Sequence, residues 1–168
     1  EQGEEWGGGG KPAGFGWRAA GWSGAGGAGC KPPGGEGVAG ERELSEMYEA
    51  VRSGRGGGNT LLIIACDKNG GIYDHVAPPY AKKPWPNDLN NGFAYDLMGP
   101  RVPTIMVSPW IRQQSVIRAE GDIPFDSTSF AATLLDWFGI PKPLCGLGDR
   151  IDAAPTFETV FQAEHPRL

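Results

Sequence analysis

The chain has 168 residues, 39% hydrophobic and 21% charged, with 20 acidic and 15 basic side chains and a formal net charge of −5. Such a length suits one domain of ordinary size. No basic block is present, so the chain carries no electrostatic footprint for nucleic acid. The longest fully apolar run, 61–66, falls far short of the roughly 20 residues a membrane span needs.

The 28 glycines are unevenly placed: 16 lie within residues 1–40, leaving 12 for 41–168. Residues 1–40 therefore read as a Gly-rich, low-complexity arm that cannot bury enough surface to fold alone. Trp6, Trp17 and Trp22 within it leave open a second reading, an adhesive Gly/Trp interaction segment. The cysteines Cys30, Cys66 and Cys145 are widely spaced and form no Cys-x-x-Cys pair, which excludes a zinc ribbon, a redox motif and a disulfide scaffold. Cys66 ends an apolar run and is expected to be a buried thiol. The start at Glu1 rather than Met, with no basic-plus-apolar leader, points to a piece of a longer protein.

A helix is expected over 41–52, where Leu44, Met47, Tyr48 and Val51 fall on one face of a 3.6-residue period. Glu41, Glu43 and Glu46 suit the start of its dipole, and Gly54 is a plausible stop. Residues 60–66 read as a strand buried on both faces, as in a parallel sheet covered by helices. Asp67 follows at its carboxyl end, where ligands bind in open α/β sheets, and Lys68-Asn69-Gly70-Gly71 turns the chain. Residues 78–100, rich in Pro, Asn and Gly and containing Trp85, Phe93 and Tyr95, read as a long loop of the functional kind. Residues 102–108 read as a second buried strand. Asp126 or Ser127 can cap a helix carrying Phe130, Leu134, Leu135 and Phe138, which Gly139 and Pro141 stop. The tail holds one short apolar stretch, 157–161. The order helix, strand, loop, strand, helix argues α/β with a mainly parallel sheet flanked by helices.

Two clusters could carry chemistry. A carboxylate at a strand end beside a Gly-Gly turn, Asp67, can ligate a hard cation or simply cap the turn. In Tyr73-Asp74-His75, a carboxylate beside an imidazole can supply metal ligands or a general acid and base, or hold a hydrogen-bonded turn. No Walker-type phosphate loop and no Gly-x-Ser-x-Gly elbow is present. Ser108 and Ser127 to Ser129 have no identifiable base partner.

The run from Asn59 through Asp67-Lys68-Asn69-Gly70-Gly71-Ile72-Tyr73-Asp74-His75-Val76 resembles the phosphoesterase family, which holds bacterial phospholipases C, related acid phosphatases and plant non-specific phospholipases C. Gly99-Pro100-Arg101-Val102-Pro103-Thr104-Ile105-Met106-Val107-Ser108-Pro109-Trp110-Ile111 is similar to a second family block, nearest to the plant type. Asp126-Ser127-Thr128-Ser129 corresponds to a third. The resemblance covers 41–161 and implies an alkaline-phosphatase-like fold, of which 41–168 would be the C-terminal part. It implies hydrolysis of a phosphate ester, in a phospholipid or a small phosphomonoester, with a divalent metal ion held by carboxylates. Asp67 matches the family's metal-binding aspartate, and Asp74 and His75 match a pocket block. Two positions depart from the pattern: Lys68 stands where the family has a second carboxylate, and Ser127 where it has a histidine beside the position of Asp126. A cation beside a metal ligand adds repulsion. The family's nucleophile and Glu-Asn block have no counterpart in 1–40, so this chain alone is expected to be inactive. The alternative is a non-catalytic relative that binds phosphate headgroups or protein partners. The resemblance is compatible with a secreted or membrane-peripheral location.

Overall fold

The computed structural model describes residues 37–87 and 91–167. The expectations for Trp6, Trp17, Trp22 and most of the Gly-rich arm lie outside the described residues. The chain divides into two compact units, which are taken in turn: one of residues 37–75, 101–110 and 164–167, the other of 76–87, 91–100 and 111–163.

The first unit begins with helix α1, Gly37–Ser53. Leu44, Met47 and Val51 are half-buried on the face their spacing predicts, and Tyr48 is exposed. The helix starts four residues before the expected Glu41, so Glu41, Glu43 and Glu46 lie beyond its first turn, which holds no acidic residue. Its end is as expected: the Gly54 N–H donates to the carbonyls of Ala50 and Val51 at 3.1 and 3.3 Å. A short 3-10 turn, Gly57–Asn59, follows. A Cβ on Gly57 would lie 2.7 Å from the Arg52 carbonyl oxygen, so only glycine lets the chain fold back this closely.

Strands β1, Leu62–Ala65, and β2, Thr104–Val107, then pair. The pairing is antiparallel, running from Leu62 opposite Val107 to Ala65 opposite Thr104. This corrects the expected mainly parallel sheet: among the described residues the sheet has two strands, and they run in opposite directions. A parallel pair needs a crossover, normally a helix, and the described part of the connection between β1 and β2 contains none. Nor are the strands buried on both faces. β1 is half-buried with Ala65 exposed, and Ile105 of β2 is 59% exposed. Cys66, expected to be buried, is exposed. Continuous apolar runs do not by themselves reveal what covers them. Beyond β2, Ser108 is buried, and the Trp110 indole N–H donates to the Gly58 carbonyl at 3.0 Å, tying the end of β2 to the turn before β1.

The second unit is built on helix α2, Thr128–Trp137, and a short helix α3, Asp149–Ala153, with 3-10 turns at Lys142–Cys145 and Glu158–Val160. Its core is Ile111, Ala132, Ala154, Phe157 and Val160, together with Ser129 and Thr133. The deepest face of α2 is thus Ser129, Ala132 and Thr133, while Phe130, Leu134 and Leu135 are half-buried and Phe138 is exposed. Small residues let the tail approach the helix. The Thr133 hydroxyl donates to the Ser129 carbonyl at 2.7 Å and accepts the Phe157 N–H at 3.0 Å. Phe157 then packs against Phe125 and Phe130, with ring centroids 5.0 and 5.3 Å away. Burying such a ring contributes about 3 kcal/mol. The helix ends where expected: Gly139 takes φ 64°, and Ile140 N–H reaches back to the Leu135 carbonyl at 2.8 Å. The long loop is closed at its base by an antiparallel bridge between Tyr80 and Leu97 and by bonds from Ala81 N–H to Asp96 and from Met98 N–H to Pro79.

No described helix is long and apolar enough to cross a membrane.

Candidate functional site

Antiparallel pairing sets the end of β1 beside the start of β2, so residues that follow β1 can meet residues that precede β2. Asp67 and Lys68 emerge there, both exposed. Gly70 and Gly71, at φ 68° and 79°, complete the turn, in a backbone region that favours glycine. The Asn69 side chain donates to the Ile72 carbonyl at 3.2 Å.

Asp74 then returns to the sheet and meets Arg101. The Arg101 Nε–H donates to one carboxylate oxygen at 2.9 Å, its Nη2–H to the other at 2.9 Å, and its backbone N–H to the first at 3.0 Å. Two parallel charge-assisted bonds are the strong form of this pair. Donating hydrogen bonds to the Asp74 carboxylate, whose charge adds to the effect, pushes the Arg101 guanidinium above its ordinary range despite some desolvation. Asp74 is therefore gripped from three donors, with only 11% of its side chain exposed. His75 is 79% exposed, with Nδ1 3.8 Å from the Asp74 carboxylate. The structure thus brings Asp74, His75 and Arg101 together. Arg101 stands in the second sequence block, but its role as the partner of Asp74 was not read from the sequence.

The resemblance implies a metal ion near Asp67. Among the described residues no group of three or more His, Cys, Asp or Glu converges on a point. Asp67 is an exposed carboxylate, and the residue that follows it, Lys68, is a cation and not a second carboxylate. The described residues therefore do not make a complete cation site.

In the second unit, Asp126 and Ser127 were alternative caps for α2, and Asp126 is the one that caps. Its Oδ1 accepts the Thr128 N–H at 2.8 Å and the Thr128 hydroxyl, and the Asp126 N–H donates to Ser129 Oγ at 3.2 Å. This is a reciprocal arrangement of capping-box type. The other oxygen, Oδ2, accepts from Arg150 Nε at 2.9 Å, and Arg150 Nη1 donates to the Tyr95 carbonyl at 3.2 Å. Arg150 thus joins α3, the cap of α2 and the long loop. It gave no sequence signal, standing in a tail with only a weak pattern. Beside it lies a groove of about 440 Å³ lined by Pro84, Trp85, Ala94, Tyr95, Ser127, Thr128 and Arg150. Ser127, exposed and not used as a cap, stands at this groove.

Residues 24–141 match the phosphoesterase family. The non-specific phospholipase C6 of Arabidopsis thaliana is 41% identical over 130 residues, which is 72% of this chain and 24% of that protein. Non-specific phospholipase C1 of the same plant is 36% identical over 138 residues, 77% of this chain and 26% of that protein. A non-hemolytic phospholipase C of Burkholderia pseudomallei is 40% identical over 67 residues, 32% of this chain and 10% of its own. The chain spans about a quarter of the length of the plant relatives it matches.

Proposed function

We propose that this chain, which belongs to the phosphoesterase family, is part of a phosphoric-ester hydrolase of phospholipase C type. Water cleaves the phosphate ester of a phospholipid, leaving diacylglycerol and a phosphorylated headgroup. Support for the phospholipid, rather than a small phosphomonoester, comes from the names of its relatives. We further propose that the fold is the C-terminal portion of an alkaline-phosphatase-like α/β domain beginning near residue 41.

The observation that carries the reading is the corner where β1 ends beside the start of β2. It exposes Asp67 and holds Asp74, between Tyr73 and His75, through Arg101. Asp67 contributes one carboxylate to a divalent-cation site completed outside the described residues. A cation there neutralises charge on phosphoryl oxygens. Asp74 orients the loop, and His75 is the exposed group that can exchange a proton with a phosphate oxygen.

A second reading is favoured by Lys68, by the grip of Arg101 on Asp74 and by Ser127: a non-catalytic relative that binds phosphate headgroups or protein partners. One assay separates the two. Release of diacylglycerol from phosphatidylcholine is measured for a family-length protein containing this chain, with Mg2+, Mn2+, Ca2+ and Zn2+ in turn and after chelation; this chain alone is run in parallel. Cation-dependent release by the longer protein, with little by this chain alone, is the expected result. No release with any cation, from phosphatidylcholine or from p-nitrophenyl phosphate, overturns the hydrolase reading.

A further inference from the structure

We propose that Arg101 is a positioning residue: it acts through Asp74 to keep the proton of the neutral His75 imidazole on Nδ1, which leaves Nε2 for the leaving oxygen. The part played by His75 in the reaction rests on the hydrolase reading above. The placement of its ring by Arg101 goes beyond that reading. A histidine 79% exposed is held by little of its own, and the partner of one ring nitrogen decides which nitrogen carries the proton. Here that partner is Asp74, whose Oδ1 lies 3.8 Å from Nδ1. This is ion-pair distance, longer than a hydrogen bond, and such contacts tighten in the reacting complex.

A carboxylate facing Nδ1 favours an N–H there over a lone pair, and it stabilises the imidazolium. It does so reliably only if the carboxylate cannot turn. Arg101 prevents the turn. Its Nε–H donates to Oδ2 and its Nη2–H to Oδ1, both at 2.9 Å, so two parallel bonds fix the carboxylate plane. The Arg101 main-chain N–H adds a third bond, to Oδ2 at 3.0 Å. With 11% of its side chain exposed, Asp74 is shielded from water that would compete for these bonds. In the hydrolysis, water bonds to phosphorus as the bond from phosphorus to the glycerol oxygen breaks. The electron pair stays on that oxygen, which takes the Nε2 proton of the imidazolium. The proton lost by the water restores the imidazolium.

Arg101→Lys is the test. It keeps the positive charge and the main-chain bond, but a single ammonium cannot grip both oxygens in the same way. The chain has two histidines, His75 and His165, so nitrogen-15 NMR of the chain and of His165→Gln assigns His75. The Nδ1–H tautomer is expected for neutral His75, with that preference lost in Arg101→Lys while circular dichroism stays unchanged. Asp74→Asn removes the charge at constant shape and is expected to have the same effect. In the family-length protein, the phenyl and p-nitrophenyl esters of phosphocholine are compared, because p-nitrophenolate leaves without needing a proton. Arg101→Lys is expected to lower kcat about tenfold or more on the phenyl ester and about threefold or less on the p-nitrophenyl ester, with KM little changed. A pin with a structural role alone would slow both esters alike. An Nε2–H tautomer at His75, a tautomer indifferent to Arg101→Lys and Asp74→Asn, or equal slowing of the two esters overturns the inference and leaves the hydrolase reading standing. No hydrolysis of either ester by the unsubstituted protein removes the hydrolase reading, and the tautomer then decides the placement of the ring.

Discussion

Each unit holds an aspartate–arginine pair, and the two are built for different ends. In the sheet unit, Asp74 is nearly covered while 62% of the Arg101 side chain is in water. In the helical unit both partners are largely covered, Arg150 at 19% and Asp126 at 12% exposed. The first pair pins a loop that carries exposed residues. The second carries structure on both sides: one oxygen of Asp126 caps α2 and the other holds α3 through Arg150. A charge that can keep its water costs little when its partner is lost, whereas a covered charge left alone is expensive. Identical ion-pair chemistry should therefore give unequal effects.

The largest effect is expected for Asp126→Ala. It removes the α2 cap and leaves Arg150 without its counter-charge, a cost of about 3 kcal/mol in urea denaturation. A cost below about 1 kcal/mol would erase the contrast between the two pairs. Next comes Gly148→Ala. Gly148 has φ 89°, and a Cβ there would sit 2.5 Å from the Pro84 carbonyl oxygen and 3.2 Å from the Trp85 ring. About 2 kcal/mol of strain is expected, with a shift in Trp85 emission as the groove wall moves. Thr133→Val sharpens the comparison from inside the helical unit. It strands the buried Phe157 N–H, at about 1–2 kcal/mol by the same denaturation measurement. Asp74→Ala comes last. It leaves Arg101, 62% of whose side chain is in water, so little global loss is expected, but amide exchange of 68–75 should quicken as the loop loses its pin, leaving α2 unchanged. Global destabilisation equal to that of Asp126→Ala would show the two pairs to be equivalent.

How much of this was legible in the sequence follows the same division. Both strands and α2 were readable, because short apolar runs and an Asp-Ser-Thr-Ser cap are local signals. The direction of pairing was not, since an apolar run looks alike in a parallel or an antiparallel ladder and only the connection distinguishes them. The fate of Cys66 was missed for a related reason: burial depends on what covers the strand end, which no window of residues encodes. Asp67 and Asp74 could be singled out as carboxylates near a glycine turn. That Arg101 grips Asp74 depends on the antiparallel register, which brings positions 27 apart in sequence into contact. Arg150 and Phe157 lie in a tail with a weak pattern, and their partners at Asp126 and Thr133 are each 24 residues away. Long-range pairs of this sort leave no periodicity to read.

The measurement closest to the central claim is Asp67→Asn in the family-length protein, assayed for cation-dependent release of diacylglycerol from phosphatidylcholine. The substitution keeps the shape of an exposed side chain and removes only its charge, so folding is not expected to change. A fall in rate of about a hundredfold or more is expected, with a raised cation requirement. An unchanged rate with an unchanged cation dependence would contradict it and place the chemistry away from the end of β1.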